Sequence, residues 1–297
     1  MKCYCGKRAV IEVEKRAFCK EHFIEYFEKK VRHNLKKHRM INKEDRVAVG
    51  VSGGKDSLTL LYLLSRWYGR RVFALTIDEG IKGYREHTIK IVEHYVKEWG
   101  VDYKKVSFKE EIGFSLDEMV KKLGGIACSY CGVFRRYLLN KKAREFGATK
   151  IAIGHNLDDE AQSILMNLFQ HDIQRFFRMG SVPGVLRNKK FVQRIKPLRV
   201  VSEKETRAYF FLKGFPHDIY ECPYMESAFR HVVRKMLNEY EKEHPGTKSN
   251  IVRAYDSFVS KSKQVSNIVF CEKCGEPSSS KICRACIIKE SLYEGTC

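Results

Sequence analysis

Val47-Ala48-Val49-Gly50-Val51-Ser52-Gly53-Gly54-Lys55-Asp56-Ser57 is the stretch that decides the fold. Val47 to Val51 is a short β-branched run of the kind buried in a parallel sheet. Gly53 and Gly54 then allow a tight turn, and an apolar-periodic helix is predicted over 57–68. Glycines let a backbone turn its N–H groups onto an anion. The start of a helix adds unpaired N–H groups and the positive end of the macrodipole. Lys55 supplies a point charge and Ser57 a hydroxyl. A phosphate-binding turn is expected, with a ligand-free Gly-rich turn as the plainer alternative. It is not a Walker A loop, which needs another Gly five residues before the Gly that precedes Lys. Val49 holds that position, and Asp56 separates Lys55 from Ser57.

Outward from this turn, strand and helix patterns alternate. Val72 to Ile77 reads as a strand ending at Asp78, 84–99 as a helix, and Tyr103 to Val106 as a weaker strand. Lys150 to Gly154 is a clear strand between helices predicted at 132–146 and 158–169. Such alternation gives an α/β, Rossmann-like parallel sheet with helices on both faces. Ligands then bind beyond the carboxyl ends of the strands. An amphipathic helix with a basic outer face is predicted at 23–39, and 175–200 is basic and turn-rich. Helical patterns return at 203–213, 226–243 and 247–263. The expected division is a cysteine-rich module at 1–24, a catalytic domain at 25–220, a helical part at 221–265 and a second cysteine-rich module at 266–297.

With 297 residues and 43% hydrophobic content, the chain can bury a sizeable core. Lys and Arg number 56 against 36 acidic residues, a net charge of +20. Such an excess points to a phosphate polymer, whose neutralisation releases counterions. Basic clusters at 29–39, Arg135 to Arg144, Lys189 to Arg199 and Arg230 to Lys235 could line its path, although one such helix is usually a solvated face. No apolar run is long enough to cross a bilayer, and Met1-Lys2-Cys3-Tyr4-Cys5 carries no signal-peptide core. A cytoplasmic protein with no membrane partner is expected.

Eleven cysteines in a reducing compartment read as metal or catalytic groups rather than disulfides. Cys271-x2-Cys274-x8-Cys283-x2-Cys286 is a four-cysteine zinc pattern. Cys3-x-Cys5-x13-Cys19-x2-His22 offers three cysteines and a histidine, and Gly follows the second Cys in both (Gly6, Gly275). Two Zn2+ ions are expected, holding segments too small to have a core. Cys297 reads as a free thiol. Cys128-Ser129-Tyr130-Cys131, after a Gly124-Gly125 turn, and the separate Cys222 are left over. They could be redox-active, bind a cluster, or bind structural zinc with His217. A thiol near a helix start and arginines such as Arg135 and Arg136 is expected to have a lowered pKa.

The string Ser52 to Ser57 resembles the SGGxDS loop of the PP-loop ATP pyrophosphatases, which cleave ATP between the α and β phosphates. Gly154-His155-Asn156-Leu157-Asp158-Asp159-Glu160 is similar to the GHxxxDxxE element of their tRNA-thiolating members, and Asp158 reads as a helix N-cap. With the C-x-x-C and the later Cys222-Pro223, nearly the whole chain resembles the PP-loop tRNA thiolase family with terminal zinc modules. The family includes the tRNA-cytidine, wobble-uridine and 2-thioribothymidine-forming thiolases. The resemblance implies that Val51, Ser52, Gly53, Gly54, Lys55, Asp56, Ser57, Ile77, Asp78, Arg135, Gly154 and Asp159 bind ATP, with Mg2+ near Asp159. It implies catalytic roles for Asp56, Asp159, Cys128 and Cys222. It implies a [4Fe-4S] cluster on Cys128, Cys131 and Cys222 with one iron open for sulfide; a persulfide on Cys222 or Cys128 is the alternative. The implied activity adenylates a tRNA uridine at O2 and places sulfur at C2. The favoured target is 5-methyluridine in the T-loop, ahead of the wobble uridine. The implied partners are tRNA, a ubiquitin-like thiocarboxylated sulfur carrier, and a second copy in a homodimer. Left without the cysteines, the same loop would suit an amidotransferase-like ligase; charge and zinc alone would suit a non-catalytic RNA-binding protein.

Overall fold

The computed structural model describes residues 1–182, 190–215, 220–225, 229–259 and 269–294. Its centre is a five-stranded sheet ordered β5-β4-β3-β6-β7, with every neighbouring pair parallel. These strands are β3 (Val47–Gly50), β4 (Val72–Asp78), β5 (Asp102–Ser107), β6 (Lys150–Ile153) and β7 (Gln193–Ile195). β3 sits in the middle because it is apolar on both faces. Val47 and Val49 enter one core, while Ala48 enters the other.

The first core lies under α1 (Lys20–Lys37), α2 (Lys55–Tyr68) and α9 (Glu203–Leu212), with Phe23, Phe27, Val31 and Leu35 of α1 buried. Phe27 stacks on Tyr209 at 4.4 Å. The second core lies under α4 (Phe108–Ile112), α5 (Leu116–Leu123), α6 (Ala127–Glu145) and α12 (Arg284–Glu294). A third, smaller one joins α7 (Leu157–Phe169), α8 (Ile173–Phe177), α10 (Phe229–Glu243) and α11 (Thr247–Val259). The helix α3 (Arg85–Glu98) follows β4. Two short hairpins belong to the cysteine-rich ends, β1 (Ile11–Val13) with β2 (Arg16–Phe18), and β8 (Val269–Phe270) with β9 (Pro277–Ser278).

Three elements differ from or add to the sequence reading. The helix predicted at 132–146 begins at Ala127, so Cys128 and Cys131 stand on its first turns rather than before it. Ala127, Phe134 and Leu138 form the buried stripe that extends it, and Gly124 and Gly125, with φ of 67° and 74°, make the turn that precedes it. α4 and α5 are too short to show a period in the sequence, although both carry a capping box, Ser107 with Glu110 and Ser115 with Glu118. The turn-rich region 175–200 also contains the end of α8 and the edge strand β7. Among the described residues, no helix is long and apolar enough to cross a membrane.

Candidate active site

The carboxyl ends of β3, β4 and β6 open into a cleft of about 330 Å3. Of the residues expected to bind ATP, Val51, Ser52, Gly54, Asp56, Ser57, Ile77, Arg135 and Gly154 line it. Gly53, Lys55, Asp78 and Asp159 stand beside it and not in its wall.

The turn after β3 is tied by its own hydroxyls. The backbone N–H of Ser52 donates to Ser57 Oγ at 3.1 Å, and Ser57 Oγ donates to the Gly54 carbonyl at 2.9 Å. Gly53 has φ of 90°, and a Cβ there would lie 2.6 Å from the Thr88 carbonyl oxygen, so only glycine fits. At Gly154 a Cβ would lie 3.0 Å from the Ser57 nitrogen. The end of β6 therefore rests against the first turn of α2.

Lys55 Nζ lies 3.1 Å from Asp56 and 3.0 Å from Glu203. Burial works against its charge, but these two carboxylates outweigh it and raise the pKa. Burial raises the Asp56 carboxyl, Lys55 opposes this, and Asp159 adds to the rise. Asn156 caps α7 in a capping box with Asp159, and also donates to Asp56 at 3.3 Å. Asp158 was expected to cap its own helix. Instead it accepts from the Glu203 backbone N–H at 2.8 Å and pairs with Lys248, so it closes the start of α9. Asp78 accepts from the Gly80 N–H at 2.9 Å. Arg230 lies 3.7 Å from Asp159.

Glu160, next to Asp159, is fully buried between Lys196 and Arg199, and Arg199 continues to Asp256 at 2.7 Å. Burial opposes its charge, yet Lys196, His155 and Arg199 hold the carboxyl far below the usual range. His155 shares this carboxylate from 3.8 Å and lines the cleft.

Sequence reasoning missed Arg85 and Glu79. Arg85 is buried, donates to the Ser52 carbonyl at 2.9 Å and the Ile77 carbonyl at 2.7 Å, and lies 2.7 Å from Glu79. It thereby clamps the ends of β3 and β4 together. Glu79 also faces Arg135 of α6 at 3.8 Å. One carboxylate thus joins the phosphate-type turn to the helix of the C-x-x-C. Lone charges on separate elements leave no spacing signal from which to find this pairing. Arg136 and Arg194 complete the wall. Burial, then the neighbouring Arg136 and Arg135, push the Arg194 guanidinium down to about 10.

At the head of α6, Cys128 is exposed, and its thiol lies 3.7 Å from the Tyr224 carbonyl oxygen. This contact brings the 220–225 segment, with Cys222, to the C-x-x-C. Cys131 and Cys222 are half-buried against the second core. The expected lowering of their pKa values is not found. Burial raises Cys131 to about 11 in spite of Arg135, and burial raises Cys222. The rival fourth ligand, His217, lies outside the described residues, as does Cys297.

The terminal cysteines gather as expected. The ligand atoms of Cys3, Cys5, Cys19 and His22 lie within 4.8 Å of one another, and so do those of Cys271, Cys274, Cys283 and Cys286. Zn–S bonds of about 2.3 Å in a tetrahedron put sulfurs about 3.8 Å apart. Cys5 to Cys19 is 3.8 Å, Cys271 to Cys286 is 3.8 Å and Cys274 to Cys283 is 3.7 Å. Both expected glycines make the turn, Gly6 to the Cys3 carbonyl and Gly275 to the Cys271 carbonyl, each with positive φ. Among the described residues these are the two groups of this size, and Cys128, Cys131 and Cys222 do not form a third. A multi-iron cluster spreads its thiolates wider than one zinc ion does.

Residues 24–240 match the family described as the PP-loop domain. The solved U34-tRNA thiolase NcsA from Methanococcus maripaludis, with its [4Fe-4S] cluster, superposes with a TM-score of 0.86 at 36% identity, covering 98% of this chain and 96% of that one. The chain belongs to the PP-loop tRNA thiolase family. The tRNA 2-thiolation protein NcsA of Haloferax volcanii is 34% identical over 97% of this chain and 98% of its own. The tRNA-5-methyluridine(54) 2-sulfurtransferase of Pyrococcus horikoshii is 37% identical over 96% of this chain and 93% of its own. Family members from Arabidopsis thaliana and Caenorhabditis elegans are named as cytoplasmic proteins.

Proposed function

We propose that this chain is an ATP-dependent tRNA sulfurtransferase that converts a uridine to its 2-thio form. The observation that carries it is the junction of two chemistries in one place. A phosphate-type turn and a three-cysteine set are linked by Arg85, Glu79 and Arg135.

The N–H groups of residues 52–57 and the start of α2 receive the β and γ phosphates, and Lys55 adds charge. Ile77, Asp78 and Gly154 border the adenosine. Asp56 and Asp159 present hard carboxylate oxygens beside the turn, a donor set suited to Mg2+, which would neutralise phosphate charge there. The uridine O2 attacks the α phosphorus, and the α–β bond breaks to release pyrophosphate. Sulfur at the oxidation level of sulfide then adds at C2, the C2–O bond breaks, and AMP leaves.

Cys128, Cys131 and Cys222 would hold the [4Fe-4S] cluster, whose open iron supplies a site for that sulfide when it is bound. The fit rests on thiol chemistry and on spacing. Soft thiolates suit iron, and the set is not zinc-sized. Arg135 stands one turn from Cys131 and offsets thiolate charge. The terminal sets would hold two Zn2+ ions.

The sulfur is brought by a thiocarboxylated ubiquitin-like protein, which the family resemblance supports. Two copies pair, supported by the exposed row Phe229, Val232, Met236 and Tyr240 along α10. The chain resembles a U34 thiolase and a 5-methyluridine(54) sulfurtransferase about equally, at 36% and 37% identity. The preference for the T-loop is therefore tested directly. Anaerobically purified protein is given ATP, sulfide and tRNA; pyrophosphate release and nucleoside masses are measured. The expected result is tRNA-dependent pyrophosphate release and 2-thioribothymidine. 2-Thiouridine at the wobble position would move the target. Turnover without thiolated product, or with ammonia incorporated, would refute the reading. Full activity of C131A with no iron bound would refute the cluster.

A further inference from the structure

Among the described residues, the cations in and beside the cleft are of two kinds. Lys55 faces Glu203, and Arg85 and Arg135 both face Glu79. Arg136 and Arg194 line the same cleft but face no carboxylate. Arg194 Nη2 donates to the Arg136 carbonyl at 3.2 Å, and its Nε is buried without an acceptor. The Arg136 guanidinium folds back along α6 onto Gly132, where a Cβ would lie only 3.2 Å from Nη1. Helical side chains lean toward the amino end, so this charge is brought to the turn just below Cys131.

Arg194, half-buried and without a counter-charge, is costly to hold unless an anion visits, and Arg136, joined to it through its carbonyl, offers a second, exposed guanidinium. The backbone of Arg194 starts well away from the phosphate-type turn. Arg194 pairs in register with Ile151 of β6, two strands from β3. At about 4.8 Å per strand this is roughly 10 Å away. The position is on the cysteine side of the cleft, where a base must lie to meet both the α phosphate and sulfur. A nucleotide drawn out of its stack brings its own backbone with it, and guanidinium forks match phosphate oxygens. We propose that Arg136 and Arg194 clasp a phosphodiester flanking the uridine to be thiolated, fixing its base between the turn and the cysteines. This rests on the tRNA-thiolase reading above.

The test uses the full chain with R136Q, R194Q, the double variant and G132A. Binding of tRNA is measured against salt, and binding of a non-hydrolysable ATP analogue is measured separately. We expect the double variant to bind tRNA about tenfold more weakly, with a salt slope shallower by about 0.7–0.9 for each phosphate that is no longer neutralised. ATP-analogue affinity stays within about twofold. G132A, which displaces the Arg136 head, gives part of the same weakening. R136Q is on an exposed position and keeps the fold, so it must weaken tRNA binding by itself. Unchanged tRNA affinity and slope overturn the clasp, as does a fall in ATP-analogue affinity alone, which would assign these arginines to the nucleotide. Wild-type thiolation is measured in the same preparation. If it is absent, the functional reading fails; if it is present and the variants match it, only the clasp fails.

Discussion

Glu160→Gln tests the buried charge hub under the active site. Glu160 is 0% exposed, and its partners Lys196 and Arg199 are 6% and 3% exposed. Removing one side of a buried ionic network costs about 3–5 kcal/mol, because the other charges stay buried and unpaired. Arg199 keeps Asp256, so Lys196 bears most of the loss. With an unfolding entropy of about 2.1 cal/mol/K per residue, over 297 residues this lowers Tm by about 5–8 °C. Differential scanning calorimetry reads the shift. Adding Lys196→Met removes the orphaned cation and should recover much of it. The carboxyl pKa is depressed in the fold. Its stabilisation is therefore in place above the unfolded-state value of about 4.3 and is lost as pH falls below that toward the folded value. The variant lacks this acid limb. A Tm shift below about 2 °C, or a double variant less stable than the single by the full cost of Lys196→Met alone, would refute the hub.

Gly154→Ala drives a methyl against backbone of α2 that cannot swing aside; about 1–3 kcal/mol is expected, seen as weaker ATP-analogue binding by calorimetry with an unchanged iron content. Arg85→Gln frees the ends of β3 and β4 and should lower both pyrophosphate release and thiolation, whereas Cys128→Ala should abolish thiolation while ATP-analogue binding persists. Cys274→Ser, or a strong chelator, should release zinc and lower Tm by differential scanning fluorimetry, with the amino-terminal set unaffected in the variant.

The core of the fold was legible because β3 and β4 are apolar on both faces and end in glycine or aspartate. The turn at 52–57, Gly154 and the gathering of both terminal cysteine sets were legible because they are written in fixed local spacing. α6 was cut short because Ser129, Tyr130 and Gly132 hide the stripe that Ala127 and Phe134 share. Asp158 was misassigned because a capping carboxylate looks the same whichever helix it caps, and its partner Glu203 is far along the chain. Arg85 and Glu79 escaped notice for the same reason. Their meaning lies in what stands opposite them, which only the folded chain supplies.

The carboxyl-terminal module is not an appendage. Glu276 pairs with Arg144 and accepts from Asn140 on α6, Ile288 and Leu292 sit in the core of Phe134 and Leu138, and Tyr293 donates to the Ile112 carbonyl. The helix that presents Cys128 and Cys131 is thus braced from behind by a module whose four cysteines could hold a metal. Zinc supply would then govern sulfur chemistry: a cell short of zinc would lose thiolation first and keep ATP binding longer, since the phosphate turn leans on the opposite core.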